Sequence, residues 1–423
     1  MEQFSMPSRP WLRPLLIVAA IVGIIFGLAR INQAMRLNHL ASAPTEVLHQ
    51  ELQSRPDDVD LLYHLAYKHL KSGENEEAFQ LMQRLVRLQP QSVNAWYGLA
   101  RCAAPAGHAL ETVEAYRRVL ALDPKNKRAR LALGQVYAQA GLYTDAVREY
   151  DLARDTMLAA SYGDTFPRCL LRRGRLQEAW DLAQLSVAMN LKQEDIFLVI
   201  EELGHRLKRE AEAEALLRKR LNLTPQYPEP VLRHAMARLL LAQSEAPEAL
   251  PTAEVMLRAL IDREETPNGE SFYYLGRTLM ARQRWREAQA PLERAVQLKP
   301  GYREALEALR EVYTRQGDRE RAARLQARLA RLDRPDASLQ RLRAAARARP
   351  EDREAQIALV RALQEKGLYG EAAEVCETFL ERHSQDAAMV ALRDDCRYRA
   401  LTALSRRGRL RMEADPVTPA ATP

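Results

Sequence analysis

Cysteine, glycine and aromatic residues are all scarce in this 423-residue chain. The four cysteines stand apart without a CxxC pair, which excludes a disulfide framework and a cysteine-rich zinc module; they are Cys102, Cys169, Cys376 and Cys396. Only 17 glycines occur, which excludes collagen-like and Gly/Ser linker material. Hydrophobic residues make up 47% of the chain, too many for full disorder, and the composition favours helix over sheet.

The charge pattern lacks the basic stripe of a nucleic-acid-binding protein. Lys and Arg number 63 against 56 Asp and Glu, and the signs are interleaved as on solvated helix faces. We therefore expect no nucleic-acid partner. Arginine greatly outnumbers lysine, which is typical of a GC-rich genome and favours a bacterial source.

One apolar run departs from this pattern near the start of the chain. Residues 15–29 read LLIVAAIVGIIFGLA without a charge. With Trp11, Leu12 and Ile31 the run reaches the length of a membrane span if Arg13 and Arg30 extend toward the headgroups. The sequence therefore predicts a flank at 1–10 and a transmembrane helix or signal anchor at 11–31. A cleaved signal peptide and a buried core helix are the alternatives.

The flanking charges are nearly balanced, and our interpretation places the N-terminus inside. A single-pass protein of the bacterial inner membrane with an extracytoplasmic main domain is therefore expected.

A period of thirty-four residues organises the rest of the chain. Gly73, Gly107 and Gly141 are spaced by this step, and Gly174 follows one residue short of it. Such a glycine permits a positive φ where a helix stops. Small residues that recur inside the helices, such as Gly276 with Ala288 in the copy at 269–300, let two helices approach closely.

The copy at 269–300 reads GESFYYLGRTLMARQRWREAQAPLERAVQLKP, and its pattern resembles the tetratricopeptide repeat. The resemblance implies an all-α fold, a right-handed α-solenoid of stacked helix-turn-helix repeats, here preceded by one transmembrane helix. We expect a linker and leading helix at 32–55, a solenoid of about nine or ten units at 56–403 that is degenerate in 160–267, and a basic end with a disordered tail at 404–423.

Several local departures from the repeat are also predicted. Pro167 removes a backbone donor and should kink or shorten its helix. The longer step between Ala322 and Ala372 leaves room for an extra short helix near 337–349. Residues 42–54 are expected to form one helix before the first unit, and a last helix over 385–407 should close the open end of the array. Trp96, Tyr137, Phe272 and Trp285 are expected in the core.

Sequence motifs for chemistry are missing. There is no phosphate-binding loop, no GxGxxG, no GxSxG and no HExxH, and the eight histidines are spread out. We therefore predict no catalytic residue, no cofactor and no metal, and the chain is not expected to be an enzyme. Cys376 and Cys396 fall on successive helices, where they either remain buried thiols or form a disulfide in an extracytoplasmic domain.

The resemblance implies that certain positions of each first helix point into a concave groove. In this sequence they carry tyrosine and arginine, which are enriched at interface hot spots. The predicted partner-binding residues are Tyr63, Tyr67, Asn94, Tyr97, Arg101, Arg128, Tyr273 and Arg277.

These observations together predict a membrane-anchored scaffold that binds a peptide or a helix of a protein partner, in bacterial cell-envelope or complex assembly. A secreted or periplasmic binding module released by signal cleavage is the alternative, and an enzyme subunit is a third hypothesis. No small-molecule substrate is expected.

Overall fold

A computed structural model describes most of the chain, and all statements below concern these residues: 28, 30–153, 155–189, 195–223, 230–243, 248–262, 269–333 and 337–408. Within these ranges the chain is helical and contains no β-strand. It divides into two compact units, one that ends at Pro124 and one that begins at Lys125. The sequence predicted a single continuous array over 56–403, and that range contributes helices to both units.

The first unit is a series of helices, and from the second helix onward each packs against the next. They are α1 over residues 30–42, α2 over Thr45–Ser54, α3 over Val59–Ser72, α4 over Asn75–Leu88, α5 over Val93–Ala106 and α6 over Ala109–Leu122. The single helix predicted over 42–54 is shorter than expected, because Pro44 disfavours helical backbone at Ala43 and α2 begins only at Thr45.

The second unit continues the same arrangement over many more helices. Its first half contains α7 (Lys127–Gln139), α8 (Tyr143–Ala153), α9 (Thr156–Ala160), α10 (Thr165–Arg172), α11 (Leu176–Ala188), α12 (Asp195–Leu207), α13 (Glu210–Leu223) and α14 (Pro230–Ala242). Its second half contains α15 (Ala249–Ile261), α16 (Gly269–Ala281), α17 (Trp285–Leu298), α18 (Arg303–Gln316), α19 (Arg319–Asp333), α20 (Ala337–Ala348), α21 (Arg353–Glu365), α22 (Tyr369–Leu380) and α23 (Ala387–Arg406).

The glycines of the thirty-four-residue period end the first helix of each pair. Gly73 and Gly107 adopt φ values of 83° and 90°, and Gly141 one of 78°. At the first of these turns the N–H of Glu74 donates to the carbonyl of His69, which satisfies a carbonyl at the helix end. The predicted role of these glycines is confirmed. Two repeats of the second unit make the same turn without glycine, at Lys208 and Gln283.

Small side chains nest where paired helices cross. A Cβ on Gly276 of α16 would meet the side chain of Leu292 on α17 at 2.5 Å, and one on Gly204 would meet the Cβ of Ala213 at 2.7 Å. The alanines that the repeat places at such crossings are fully buried; they include Ala66, Ala78, Ala100, Ala146 and Ala288. Close contact at these points leaves the larger residues to fill the space around them.

The departures predicted from the repeat are largely found. The helix with Pro167 is only eight residues long and begins at Thr165, so the proline lies in its first turn, where its missing N–H costs little. The extra helix is α20, and the closing helix is α23, which ends at Arg406. Tyr137 is buried, whereas Trp96, Phe272 and Trp285 are half-buried.

Most of the predicted membrane segment at 11–31 lies outside the described residues. Only residues 28, 30 and 31 of it are described. Among the helices that are described, none is long and apolar enough to cross a membrane. The tail predicted as disordered also lies outside the described residues from position 409 onward.

Candidate partner-binding surfaces

Four side chains of the first unit form a surface of tyrosines and cations, which we call the unit 1 tyrosine surface. Its members are Tyr63, Tyr67 and Lys71 on α3 and Arg101 on α5. The Lys71 ammonium lies 4.9 Å from the centre of the Tyr67 ring. The Tyr63 ring packs 3.8 Å from the position of a Cβ on Gly98, which brings α3 and α5 together. Both tyrosines are half-buried, so part of each ring remains accessible to a partner.

The Tyr63 phenol stays protonated on this surface. Burial raises the pKa of Tyr63, and the nearby Arg101 guanidinium only partly opposes this rise. A protonated phenol both donates and accepts a hydrogen bond. The surface therefore offers two-way hydrogen bonding on an apolar ring, beside fixed positive charge.

The other two predicted residues of the first unit differ in exposure. Asn94 is exposed at the start of α5. Tyr97 is half-buried, and its ring meets the buried Tyr116 edge-on with 5.7 Å between ring centres. Tyr97 thus contributes to packing between α5 and α6 as well as to the surface.

The structure places the predicted residues of the second unit in contrasting environments. Arg128 is exposed on α7. Tyr273 of α16 is only 8% exposed and belongs to the hydrophobic core, with the rings of Tyr274 and Tyr302 each 5.0 Å away. Arg277 is exposed one turn later, and its Nη1 lies 3.4 Å from the Tyr273 hydroxyl.

Sequence reasoning missed the rest of this tyrosine cluster. Arg238 lies 5.7 Å from the Tyr274 ring centre and Lys299 lies 5.5 Å from that of Tyr302. Burial raises the pKa of Tyr274 to about 12 and raises that of Tyr302 as well. The sequence signal for this cluster was the adjacent pair Tyr273 and Tyr274. Two neighbouring residues of a helix point in different directions, so the pair indicates aromatic rings both in the core and beside it.

The second unit also contains a contact between distant helices, which we call the closure contact. Glu374 of α22 accepts from the Thr144 backbone N–H at 2.7 Å and from its hydroxyl at 2.6 Å. Arg397 of α23 donates to both carboxylate oxygens of Asp145 on α8. Arg173, just after α10, reaches Glu374 and Glu381. Helices from the two ends of this unit therefore meet.

Backbone packing makes the closure contact tight. A Cβ on Gly370 of α22 would lie 2.9 Å from the carbonyl oxygens of both Ala140 and Gly141. Only a residue without a side chain allows α22 to approach this turn so closely. Burial raises the pKa of Glu374, against the lowering effect of its hydrogen bonds with Thr144.

Buried charges elsewhere in the second unit are paired in ways that stabilise the fold. Burial raises the pKa of Glu254, but three arginines outweigh it and leave the pKa below its usual value; they are Arg258, Arg282 and Arg284. In the described part of the chain, no group of three or more His, Cys, Asp or Glu side chains is placed to hold a metal ion. All four cysteines are free and buried.

Comparison with known proteins supports the predicted repeat. Models of the tetratricopeptide repeat match residues 28–93, 63–111, 105–157 and 328–387. No curated protein matches. These matches confirm that the chain carries tetratricopeptide repeats.

Several solved structures are similar in fold. A tetratricopeptide repeat protein from Parabacteroides merdae is 14% identical, with 60% of this chain and 98% of that one covered and a TM-score of 0.44. PilW, described as a widely conserved type IV pilus biogenesis factor, is 14% identical over 49% and 95% of the two chains, with a TM-score of 0.41. The C-terminal part of a repeat protein from Cytophaga hutchinsonii is 15% identical over 58% and 99%, with a TM-score of 0.45.

Proposed function

We propose that this chain, which carries tetratricopeptide repeats, is a scaffold that binds a peptide or a helix of a protein partner. The unit 1 tyrosine surface is the observation that carries this proposal. It combines half-buried tyrosine rings with two cations on neighbouring first helices, α3 and α5. Tyrosine and arginine are the residue types that contribute most to binding energy at protein interfaces.

The tyrosines suit this role because little entropy is lost when they are covered. A tyrosine has few rotatable bonds, and Tyr67 and Tyr63 are already restrained by Lys71 and by packing beside Gly98. A partner that buries both rings gains apolar contact and hydrogen bonds at low cost. Arg101 adds a charge that favours an acidic or carbonyl-rich segment.

Site-specific photo-crosslinking in the full-length chain tests the proposal. A benzoylphenylalanine at Tyr67 lies on the surface, whereas one at Arg87, exposed on the second helix α4, lies off it. We expect a discrete adduct from position 67 and none from position 87. The double variant Tyr63→Ala and Arg101→Ala should weaken capture by about tenfold or more.

Two results would contradict this scaffold role. One is the same set of adducts from both positions, which would indicate nonspecific proximity. The other is an adduct at position 67 whose yield does not change in the double variant, because the surface would then contribute nothing to affinity.

We propose further that residues 11–31 anchor the scaffold to the inner membrane with the repeats outside the cytoplasm. The uncharged run at 15–29 supports this proposal. Carbonate extraction should leave the full chain in the membrane and release a chain that lacks residues 1–31. A topology reporter fused after Pro423 tests the side. A mature N-terminus found near residue 30 would favour the released, periplasmic alternative instead.

A further inference from the structure

A cavity of about 750 Å³ lies beside the closure contact in the second unit. Its walls come from the turn after α7, the end of α10, α20, the start of α22 and the end of α23. This volume is in the range of sites that hold a ligand or a short peptide segment. Because the walls come from both ends of the unit, the cavity exists only while the closure contact is formed.

The cavity is strongly cationic. Five arginines and two glutamates line it, and no other charged side chain does. The glutamates are already neutralised, since Glu371 accepts from Arg343 at 2.7 Å and Glu374 is held by Arg173 and Thr144. Three exposed arginines without an ion pair in the described part of the chain remain: Arg172, Arg347 and Arg407.

Arg343 also has a hydrogen-bond donor that lacks an acceptor in the described part of the chain. Its Nη2 binds both oxygens of Glu371, but its Nε is buried and has no hydrogen-bond partner among the described residues. An unsatisfied buried donor costs free energy that an oxygen of a ligand would recover.

An adjoining cavity of about 380 Å³ shares four of these lining residues and is less polar. Leu359, Val375 and Phe379 contribute an apolar wall, with Ala346 and Pro350 beside them, while Arg382 and His383 add to the charged residues that the two cavities share. The two cavities therefore present a cationic chamber next to a less polar one with an apolar wall, a combination that suits an aliphatic or aromatic side chain preceded by carboxylates.

We propose that the cationic cavity binds an acidic peptide segment of a protein partner, with an apolar residue of the segment in the adjoining cavity. This inference rests on the proposed scaffold function, because it assigns the chemical class of a segment that the scaffold holds. The site is distinct from the unit 1 tyrosine surface and belongs to the second unit alone.

A peptide fits these walls better than a polyphosphate does. Nucleic-acid sites present a continuous basic surface, whereas the pairing of Arg343 with Glu371 and of Arg173 with Glu374 leaves only separate arginines on these walls. The apolar wall of the adjoining cavity would also stay uncovered with such a ligand. Carboxylates at irregular spacing can instead meet individual arginines in bidentate geometry.

Fluorescence anisotropy of the full-length protein tests the site. The probe is a short fluorescein-labelled peptide in which aspartates and glutamates precede a leucine and a phenylalanine. We expect micromolar binding that Arg347→Glu with Arg407→Glu weakens by about tenfold or more. The matched control is Arg324→Glu with Arg331→Glu, which makes the same charge change at exposed positions of α19 outside the cavity and should change the Kd less than about twofold.

Further probes separate the outcomes. A peptide with amides in place of the carboxylates should not bind. The inference is overturned if the acidic peptide fails to bind, if both double variants weaken it equally, or if an oligothymidine or vesicles of anionic lipid compete as well as the unlabelled peptide. Tyr63→Ala with Arg101→Ala should leave this affinity unchanged, so failure here and failure of the crosslinking at Tyr67 are separate results.

Discussion

Arg397 of α23 donates from Nε to Oδ2 of Asp145 at 2.8 Å and from Nη2 to Oδ1 at 2.5 Å, across 252 residues of sequence. The same Nη2 reaches Oε1 of Glu377 on α22. The Asp145 side chain is 10% exposed and that of Arg397 is 20% exposed. The guanidinium thus lies between two carboxylates from opposite ends of the second unit, where water screens the attraction little.

We predict that Asp145 and Arg397 are energetically coupled. Asp145→Ala and Arg397→Ala should each lower the free energy of unfolding by about 1–3 kcal/mol, because each leaves a charged partner short of hydrogen bonds. Arg397→Ala should cost more, since Asp145 and Glu377 then face each other with the longer contacts from Arg148 and Arg393 in its place. Urea unfolding of the four chains of a double-mutant cycle gives the coupling, expected at about 1–2 kcal/mol.

The exposed pair Glu320 and Arg324 on α19 is the control for this cycle, since both side chains are about three-quarters exposed at 75% and 74%. Its coupling should stay below about 0.5 kcal/mol. Equal coupling in the two cycles would mean that the closure contact is not preserved in solution.

Gly370 offers a test of closure that removes no charge. We predict that Gly370→Ala opens the contact, because a Cβ there would press on the carbonyl oxygens of Ala140 and Gly141. The Thr144 N–H lies in the first turn of α8 and finds its acceptor in Glu374, so its hydrogen exchange should accelerate in the variant. Hydrogen–deuterium exchange of the peptide that contains Thr144 is the measurement.

Gly301→Ala is the matched control for Gly370, since nothing lies within 4 Å of a Cβ at that position and its φ is not positive. Exchange at Thr144 should be unchanged in it. Unchanged exchange in both variants would show that Thr144 is protected by something other than Glu374.

Local features of this fold could be predicted from sequence, whereas the closure contact could not. The turn at Gly73 and the crossing at Gly276 depend on residues within one helix pair, so a fixed period reveals them. The meeting of Thr144 and Glu374 depends on the summed rotations of every intervening helix pair, which no local pattern encodes. The only sequence signal was Gly370, a glycine in the first turn of a helix where a better helix former is expected.

The candidate surfaces also contain features that the sequence predicts and features that it does not. The repeat frame assigns Tyr63 and Tyr67 to a first helix, and both lie half-buried on α3. It cannot show that Tyr302 of the following repeat packs on Tyr273, because that contact depends on how neighbouring repeats pack. The cationic cavity was missed because its arginines come from α10, α20 and α23, which the periodicity treats as unrelated surface.

Gln283 adopts the left-handed backbone conformation that glycine adopts at the corresponding turn of other repeats. Its φ is 59°, and a residue with a Cβ is strained there. We predict that Gln283→Gly stabilises the chain by up to about 1 kcal/mol, since relief of this strain exceeds the entropy cost of glycine. Gly317→Ala, at φ 79° with open space around it, should destabilise by about 1 kcal/mol. Thermal unfolding by circular dichroism measures both, and changes of the same sign would contradict the argument.

Cys102 and Cys169 are buried thiols, one in each unit, whose modification reports how often the surrounding helices open. Burial raises the pKa of both thiols to about 12. Since only the thiolate reacts, very few molecules carry a reactive group at either position near pH 8, and the fraction should rise about tenfold per pH unit below the pKa. We therefore predict that iodoacetamide modifies these cysteines slowly in the folded chain, faster with rising pH, and rapidly in guanidinium chloride. Peptide mass spectrometry after timed labelling resolves the two positions, and rapid labelling of either one at neutral pH in the folded chain would show that its helix pair opens far more often than this packing implies.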